Sequence, residues 1–165
     1  MNLPKRKNVR LKNYDYATSG KYFITICTRE RMKILSTISS ISNNCINSLS
    51  PIGEIVNNNI LKLSNEFRCC NIEYYVIMPN HIHLLIALNN EDPHINKINI
   101  SQIICALKSL TSNECLKKYG IYKIFQNSFH DHIIRNEEDY KNIMEYIQNN
   151  PLKWELDCFY EDNLK

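Results

Sequence analysis

Two histidines separated by one residue lie in Met78-Pro79-Asn80-His81-Ile82-His83-Leu84-Leu85-Ile86 and form the sharpest chemical feature of the chain. The residues after them are aliphatic and β-branched, so the segment reads as a strand, where side chains two apart share a face. His81 and His83 then project together while Ile82 and Leu84 turn the other way. Two neighbouring imidazoles bind one metal ion when a third ligand arrives from elsewhere in the chain. Taken alone, a His-x-His pair serves packing or the surface more often than a metal. Two other chemistries fail on inspection. A histidine-triad nucleotide hydrolase needs a third histidine where Leu85 stands, and the His-Glu-x-x-His helix of a zincin is absent.

A second candidate is Ile143-Met144-Glu145-Tyr146-Ile147-Gln148-Asn149-Asn150-Pro151. At helical spacing Tyr146 and Asn150 share one face. Asn150 offers a carbonyl oxygen suited to a hard cation such as Mg²⁺ or Mn²⁺. Tyr146 offers a phenol able to attack phosphorus and form a covalent phosphotyrosine, which conserves the bond energy for a later joining step. A free phenol titrates near 10 and is a weak nucleophile at neutral pH, which a metal offsets by polarising the scissile phosphate. No general base for the phenol is identifiable. A tyrosine on a helix is by itself usually packing, but the histidine pair and the Tyr–Asn pair together supply a complete reaction centre.

Positioning these groups requires a particular order of elements. Tyr22-Phe23-Ile24-Thr25-Ile26-Cys27-Thr28 reads as a first strand behind Gly20. Residues 36–50 are rich in Ser and Asn and read as a loop or insertion. From Pro51, with Ser50 as N-cap, Ile52, Ile55, Val56, Ile60 and Leu63 recur at helical spacing. Strands Ile72–Ile77 and Ile82–Leu88 follow, joined through Pro79-Asn80. Ile103, Ile104, Leu107, Leu110 and Leu116 mark a second helix, capped by Ser101 and ending near Gly120. Phe129–Ile134 is a short strand. Glu137–Asn150 is a third helix, acidic at its start and stopped by Pro151. The order is βαββαβ with one more helix: an α+β ferredoxin-like sandwich, its antiparallel sheet covered by helices on one face, with an additional C-terminal helix carrying the tyrosine.

The 165 residues and 44% hydrophobic content suit one domain over residues 1–165, with a basic arm at 1–20 and a short tail at 152–165. No apolar run is long enough to span a bilayer and none follows the basic N-terminus as a secretory signal would, so a cytoplasmic protein is expected. The seven cysteines include no CxxC pair, which argues against a zinc ribbon or redox dithiol. The net charge of +3 neither demands nor excludes nucleic acid. Its placement says more: Arg6, Lys7 and Arg10 lie in a basic arm just ahead of Tyr14 and Tyr16, a pattern suited to phosphate contact and base stacking, or to a solvated terminus. Lys108 and Arg135 are candidate phosphate contacts, with solvated helix faces as the alternative.

With these features assembled, the chain resembles the single-tyrosine HUH transposases, and within them the REP-associated tyrosine transposases. The resemblance is carried by Met78-Pro79-Asn80-His81-Ile82-His83-Leu84 and Tyr146-Ile147-Gln148-Asn149-Asn150-Pro151, with Gly20-Lys21-Tyr22-Phe23-Ile24-Thr25, Pro51-Ile52-Gly53-Glu54-Ile55-Val56, Leu107-Lys108-Ser109-Leu110-Thr111 and His130-Asp131-His132-Ile133-Ile134-Arg135 alongside. It implies His81 and His83 as the metal pair, Tyr146 as nucleophile and Asn150 as third ligand. It also implies cleavage of single-stranded DNA near imperfect hairpins, with the enzyme left on the 5′ phosphate and a free 3′ hydroxyl released. No nucleotide cofactor and no membrane are implied, and a monomer is favoured over a tyrosine-exchanging dimer. Gly20, Lys21 and Tyr22 fall where that branch has a Gly-Thr-aromatic element that helps read a tetranucleotide beside the hairpin.

Lys21 in place of Thr puts recognition of the same tetranucleotide in doubt, and Phe125-Gln126 stands where Trp-Gln is usual. His132 reads as a structural hydrogen-bonder, and Trp154 and Tyr160 as a tail packed back on the domain. The alternatives are a non-catalytic binder of DNA or RNA hairpins and a metal phosphodiesterase acting through water.

Overall fold

A computed structural model describes residues 14–41, 44–92, 94 and 96–160. Its sheet is built from β1 (Gly20–Cys27), β4 (Cys70–Ile77), β5 (His81–Leu88) and β6 (His130–Ile134), in the order β4-β5-β1-β6 with every pairing antiparallel. Helices α1 (Pro51–Glu66) and α2 (Ile100–Tyr119) supply the two crossovers, which gives the ferredoxin-like sandwich expected. The two remaining strands, β2 (Ser36–Ile41) and β3 (Asn44–Leu49), form a separate hairpin, and α3 (Glu137–Asn149) follows β6.

The strand period divides the sheet into two faces. Tyr22, Ile24 and Ile26 of β1 and Ile82, Leu84 and Ile86 of β5 are fully buried in one core with Ile55, Val56, Ile60 and Leu63 of α1 and Ile103, Ile104 and Leu107 of α2. The intervening residues Phe23, Thr25, His81 and His83 therefore belong to the opposite face. There α3 lies against β4 and β5. Each CH₂ in the core contributes about 0.8 kcal/mol, so the helix-covered face is what fixes the strand register. That register sets Thr25 opposite His83 and Cys27 opposite His81.

Local signals explain the helix ends. Ser50 accepts from Gly53 N at 3.0 Å. For α2 the cap is Asn99 and not Ser101: Asn99 Oδ1 accepts from Gln102 N, and the Gln102 side chain accepts from Asn99 N. This is a capping box, in which residues three apart satisfy two otherwise unpaired backbone donors. Gly120 ends α2 at φ 68°. The segment read as a loop is the β2–β3 hairpin. Two of its polar residues tie the hairpin down: Ser36 Oγ and Asn47 Nδ2 both donate to the Ile77 carbonyl at the end of β4.

Gly53, in the first turn of α1, marks a close approach. A Cβ there would overlap the Leu35 carbonyl oxygen, which already accepts from Ser50 N at 2.9 Å. Gly53→Ala is expected to lower stability by about 1–3 kcal/mol, read by urea unfolding. An unchanged midpoint would show that the entry to α1 moves freely.

Candidate active site

The geometry of β5 brings the two imidazoles into contact. His81 Nε2 and His83 Nε2 are 3.0 Å apart, with the side chains 0% and 1% exposed. Their far nitrogens are held. Asn80 Nδ2 donates to the Phe159 carbonyl at 2.8 Å, so Asn80 Oδ1 faces His81 Nδ1 at 2.8 Å and accepts a hydrogen bond from it. His81 is thereby left with a lone pair on Nε2, pointing into the site. His83 Nε2 then donates to His81, and its Nδ1 accepts from Thr25 Oγ1 at 2.8 Å. The Thr25 hydroxyl accepts as readily as it donates. Moving the His83 proton to Nδ1 therefore costs no hydrogen bond there and leaves both Nε2 atoms free for a cation. Such outer partners orient metal-binding histidines generally.

Burial keeps both rings neutral. It lowers His81 to about 4, and burial together with the nearby His81 lowers His83 to about 3. Folded-state values below the ordinary 6.5 mean that the unfolded chain binds the protons first. Stability is therefore complete above pH 6.5 and is lost as the pH falls from there toward 4. In EDTA, the unfolding free energy is expected to decline over that window, starting above the range where carboxylates titrate. A flat profile from pH 7 to 4.5 would contradict the neutral, buried pair.

Tyr146 reaches this pair from α3. Its hydroxyl is 3.3 Å from His83 Nε2, its ring packs on Phe23 and His83, and the residue is 40% exposed, open to a substrate on one side. Asn136 caps α3 by accepting from Asp139 N, and the buried Ile147 anchors the helix, which fixes the face carrying Tyr146. Asn150, the C-cap, is buried. Its Nδ2 donates to Asp157 Oδ2 at 2.8 Å, and its Oδ1 is buried without a hydrogen-bond partner. Asn150 is hydrogen-bonded to Asp157, whose carboxylate oxygen lies within 4.8 Å of a ring nitrogen of His81 and of His83. An unpartnered amide oxygen thus belongs to a residue joined to this group, and mixed nitrogen and oxygen donors can hold a divalent cation. The residues fit such an ion.

Asp157 was missed in the sequence. It lies in the tail after Pro151–Leu156, a 3-10 segment kinked at Lys153. Its Oδ1 accepts from Phe159 N and its Oδ2 from Tyr146 Oη at 3.1 Å. Burial alone would raise its carboxyl, but the Phe159 N–H and Asn150 amide outweigh it and hold the group below the usual carboxylate range. Burial and this carboxylate together push the Tyr146 phenol well above its ordinary value.

Residues 16–150 match the family described as transposase IS200 like. The chain belongs to the IS200-like transposase family. It is 31% identical over 175 residues to an uncharacterized protein of Haemophilus influenzae, covering 95% of this chain and 94% of that one. It is 25% identical over 156 residues to the REP-associated tyrosine transposase of Escherichia coli K12, covering 89% of this chain and 81% of that one. Its fold is similar to the solved structure of a REP-associated tyrosine transposase bound to a REP hairpin, with TM-score 0.65, 23% identity, and coverage of 88% of this chain and 74% of that one.

The transposase fold gathers some of the other candidates and disperses the rest. Tyr22 is wholly buried, its hydroxyl donating to the Thr18 carbonyl, so it fixes the backbone beside Gly20 and presents no stacking face. Lys21 pairs with Glu73 at 3.1 Å and lies over the Tyr140 ring, which ties β1 to α3. Half-buried Lys108 donates to the carbonyls of Gln126, Asn127 and Ser128 and so holds that loop. Arg135 is exposed after β6. Arg6, Lys7 and Arg10 lie outside the described residues. His132 bonds Asp139 at 2.8 Å, a structural tie between β6 and α3, and Phe125 is core. Trp154 packs back on the domain toward His81. Among the described residues no helix is long and apolar enough to cross a membrane.

Proposed function

We propose that this transposase is a metal-dependent endonuclease and strand transferase for single-stranded DNA, with Tyr146 as nucleophile and His81, His83 and Asn150 as ligands for Mg²⁺ or Mn²⁺. The observation that carries the reading is that a half-exposed phenol lies against two buried, neutral imidazoles, with Asn150 joined to the same group through Asp157 and its amide oxygen left without a partner. A bound divalent cation there polarises the scissile phosphate and offsets the charge that develops on it.

The chain's own residues do the remainder. Tyr146 Oη bonds to phosphorus as the P–O3′ bond breaks; the phenol gives up its proton and the departing 3′ oxygen gains one, leaving a 5′-phosphotyrosine and a free 3′ hydroxyl with no net change in protons. Attack by another 3′ hydroxyl on that phosphotyrosine reverses the step and joins the strands, with one phosphodiester exchanged for another and no nucleotide cofactor consumed. Phe23 and His83 hold the phenol ring, and the α3 packing sets its distance from the ligands. A hairpin-bearing substrate is supported by the REP hairpin bound to the structural relative. Gly20, Lys21, Arg135 and the basic arm with Arg6, Lys7 and Arg10 are proposed to meet that DNA, with Tyr22 and Lys108 acting through the backbone they hold. One protomer contains every group named, which favours a monomer.

The test is incubation of labelled hairpin single strands from the flanks of its own gene with the protein and Mn²⁺, with EDTA as control. Metal-dependent nicking with a slow-migrating covalent band is expected. Hairpin binding without cleavage would favour a non-catalytic binder, and cleavage without a covalent band a water-using phosphodiesterase.

A further inference from the structure

The three ligands proposed above are all uncharged, whereas protein sites for Mg²⁺ and related hard cations are built around one or two carboxylates. A carboxylate stands at this site. One oxygen of Asp157 and the ring nitrogens of His81 and His83 lie within 4.8 Å of one another. Asp157 also sits between the other two functional groups, accepting from both Tyr146 Oη and Asn150 Nδ2.

Its placement is built by the fold. The Phe159 N–H fixes Oδ1 at 2.7 Å, which aims Oδ2 at the site. The Phe159 carbonyl is in turn bonded by Asn80, the residue that sets the His81 tautomer, and the Phe159 ring lies 4.7 Å from the His81 ring. The tail is thus coupled to the histidine pair through one side chain. Ordering it there costs about 1–2 kcal/mol per residue in backbone entropy, which these contacts must offset.

Resting on the metal site proposed above, we infer that Asp157 is a fourth protein ligand of the divalent cation, supplied by the tail and giving the site its one negative charge. The Asp157–Asn150 hydrogen bond then describes the cation-free arrangement of a His₂AsnAsp set. The carboxylate favours hard cations over the softer ones that two imidazoles alone would take.

The experiment is calorimetric titration of the full chain with Mn²⁺ alone, comparing wild type, His81→Ala, Asp157→Asn and Glu155→Gln, the last removing an exposed tail carboxylate as a charge control. One site is expected in wild type and in Glu155→Gln, no binding in His81→Ala, and affinity at least about 10-fold weaker in Asp157→Asn. Wild-type affinity in Asp157→Asn, with binding lost in His81→Ala, would overturn the role of Asp157 and leave the metal site standing. Equal binding, or none, in wild type and His81→Ala would overturn the site itself and the inference with it. Should Asp157→Asn fail to fold, anomalous scattering from wild-type crystals soaked in Mn²⁺ decides. An ion bonded to the histidines and to Asp157 supports the assignment, and an ion on the histidines with Asp157 out of bonding range overturns it.

Discussion

Tyr146→Phe abolishes strand cleavage and the covalent adduct while leaving hairpin binding intact. Removing a covalent nucleophile costs on the order of 10⁶-fold in rate, so the residual activity should fall below detection in a gel assay. The fold has little reason to suffer. The phenyl ring keeps its contacts with Phe23 and His83, and what goes is a hydroxyl bonded to Asp157 and near His83. That exchange costs about 1 kcal/mol or less of stability. Single-turnover rates on a labelled hairpin and a urea titration check both halves. Adduct formation by Tyr146→Phe would show that another residue attacks, and Tyr140 on the same helix is the first to examine.

His83→Ala is expected to have the second largest effect, through the metal. It deletes one of the two imidazole nitrogens that face the site and opens a hole beside Phe23 and Tyr146. Loss of a partner behind a ligand typically costs about 10–100-fold in metal affinity or activity, and loss of the ligand itself costs more. Thr25→Val makes the comparison informative. It removes the hydroxyl behind His83 Nδ1 and keeps the ring, so its loss should fall within about that 10–100-fold range. The ordering wild type, Thr25→Val, His83→Ala is the expected result for both Mn²⁺ affinity and cleavage rate. Equal losses in the two variants would indicate that Thr25 holds the strand and not the ring.

The parts of the site that were legible in the sequence were those governed by a short period. His81 and His83 share a face because strand side chains alternate, and Tyr146 and Asn150 because a helix turns every 3.6 residues. The ferredoxin-like fold followed from the order of the elements, and the same alternation turned Ile82 and Leu84 away from the histidines. What escaped had no period to betray it. Asp157 is one carboxylate in a polar tail, beyond a proline and a kink, and only the folded chain brings it to His81. The β2–β3 hairpin was hidden because its Ser and Asn side chains bond backbone on β4, a use that composition cannot separate from turn formation. Tyr22 and Lys108 carry residue types suited to DNA, but burial and three loop carbonyls occupy them.

The central claim is that Tyr146 carries the DNA. The adduct formed on a hairpin strand in Mn²⁺ can be digested with protease and nuclease and the nucleotide-bearing peptide identified by mass spectrometry. The account predicts a nucleotide linked through its 5′ phosphate to Tyr146, absent when EDTA replaces the metal. A nucleotide on any other residue, or cleaved strands that carry free 5′ phosphates and no protein, would contradict it.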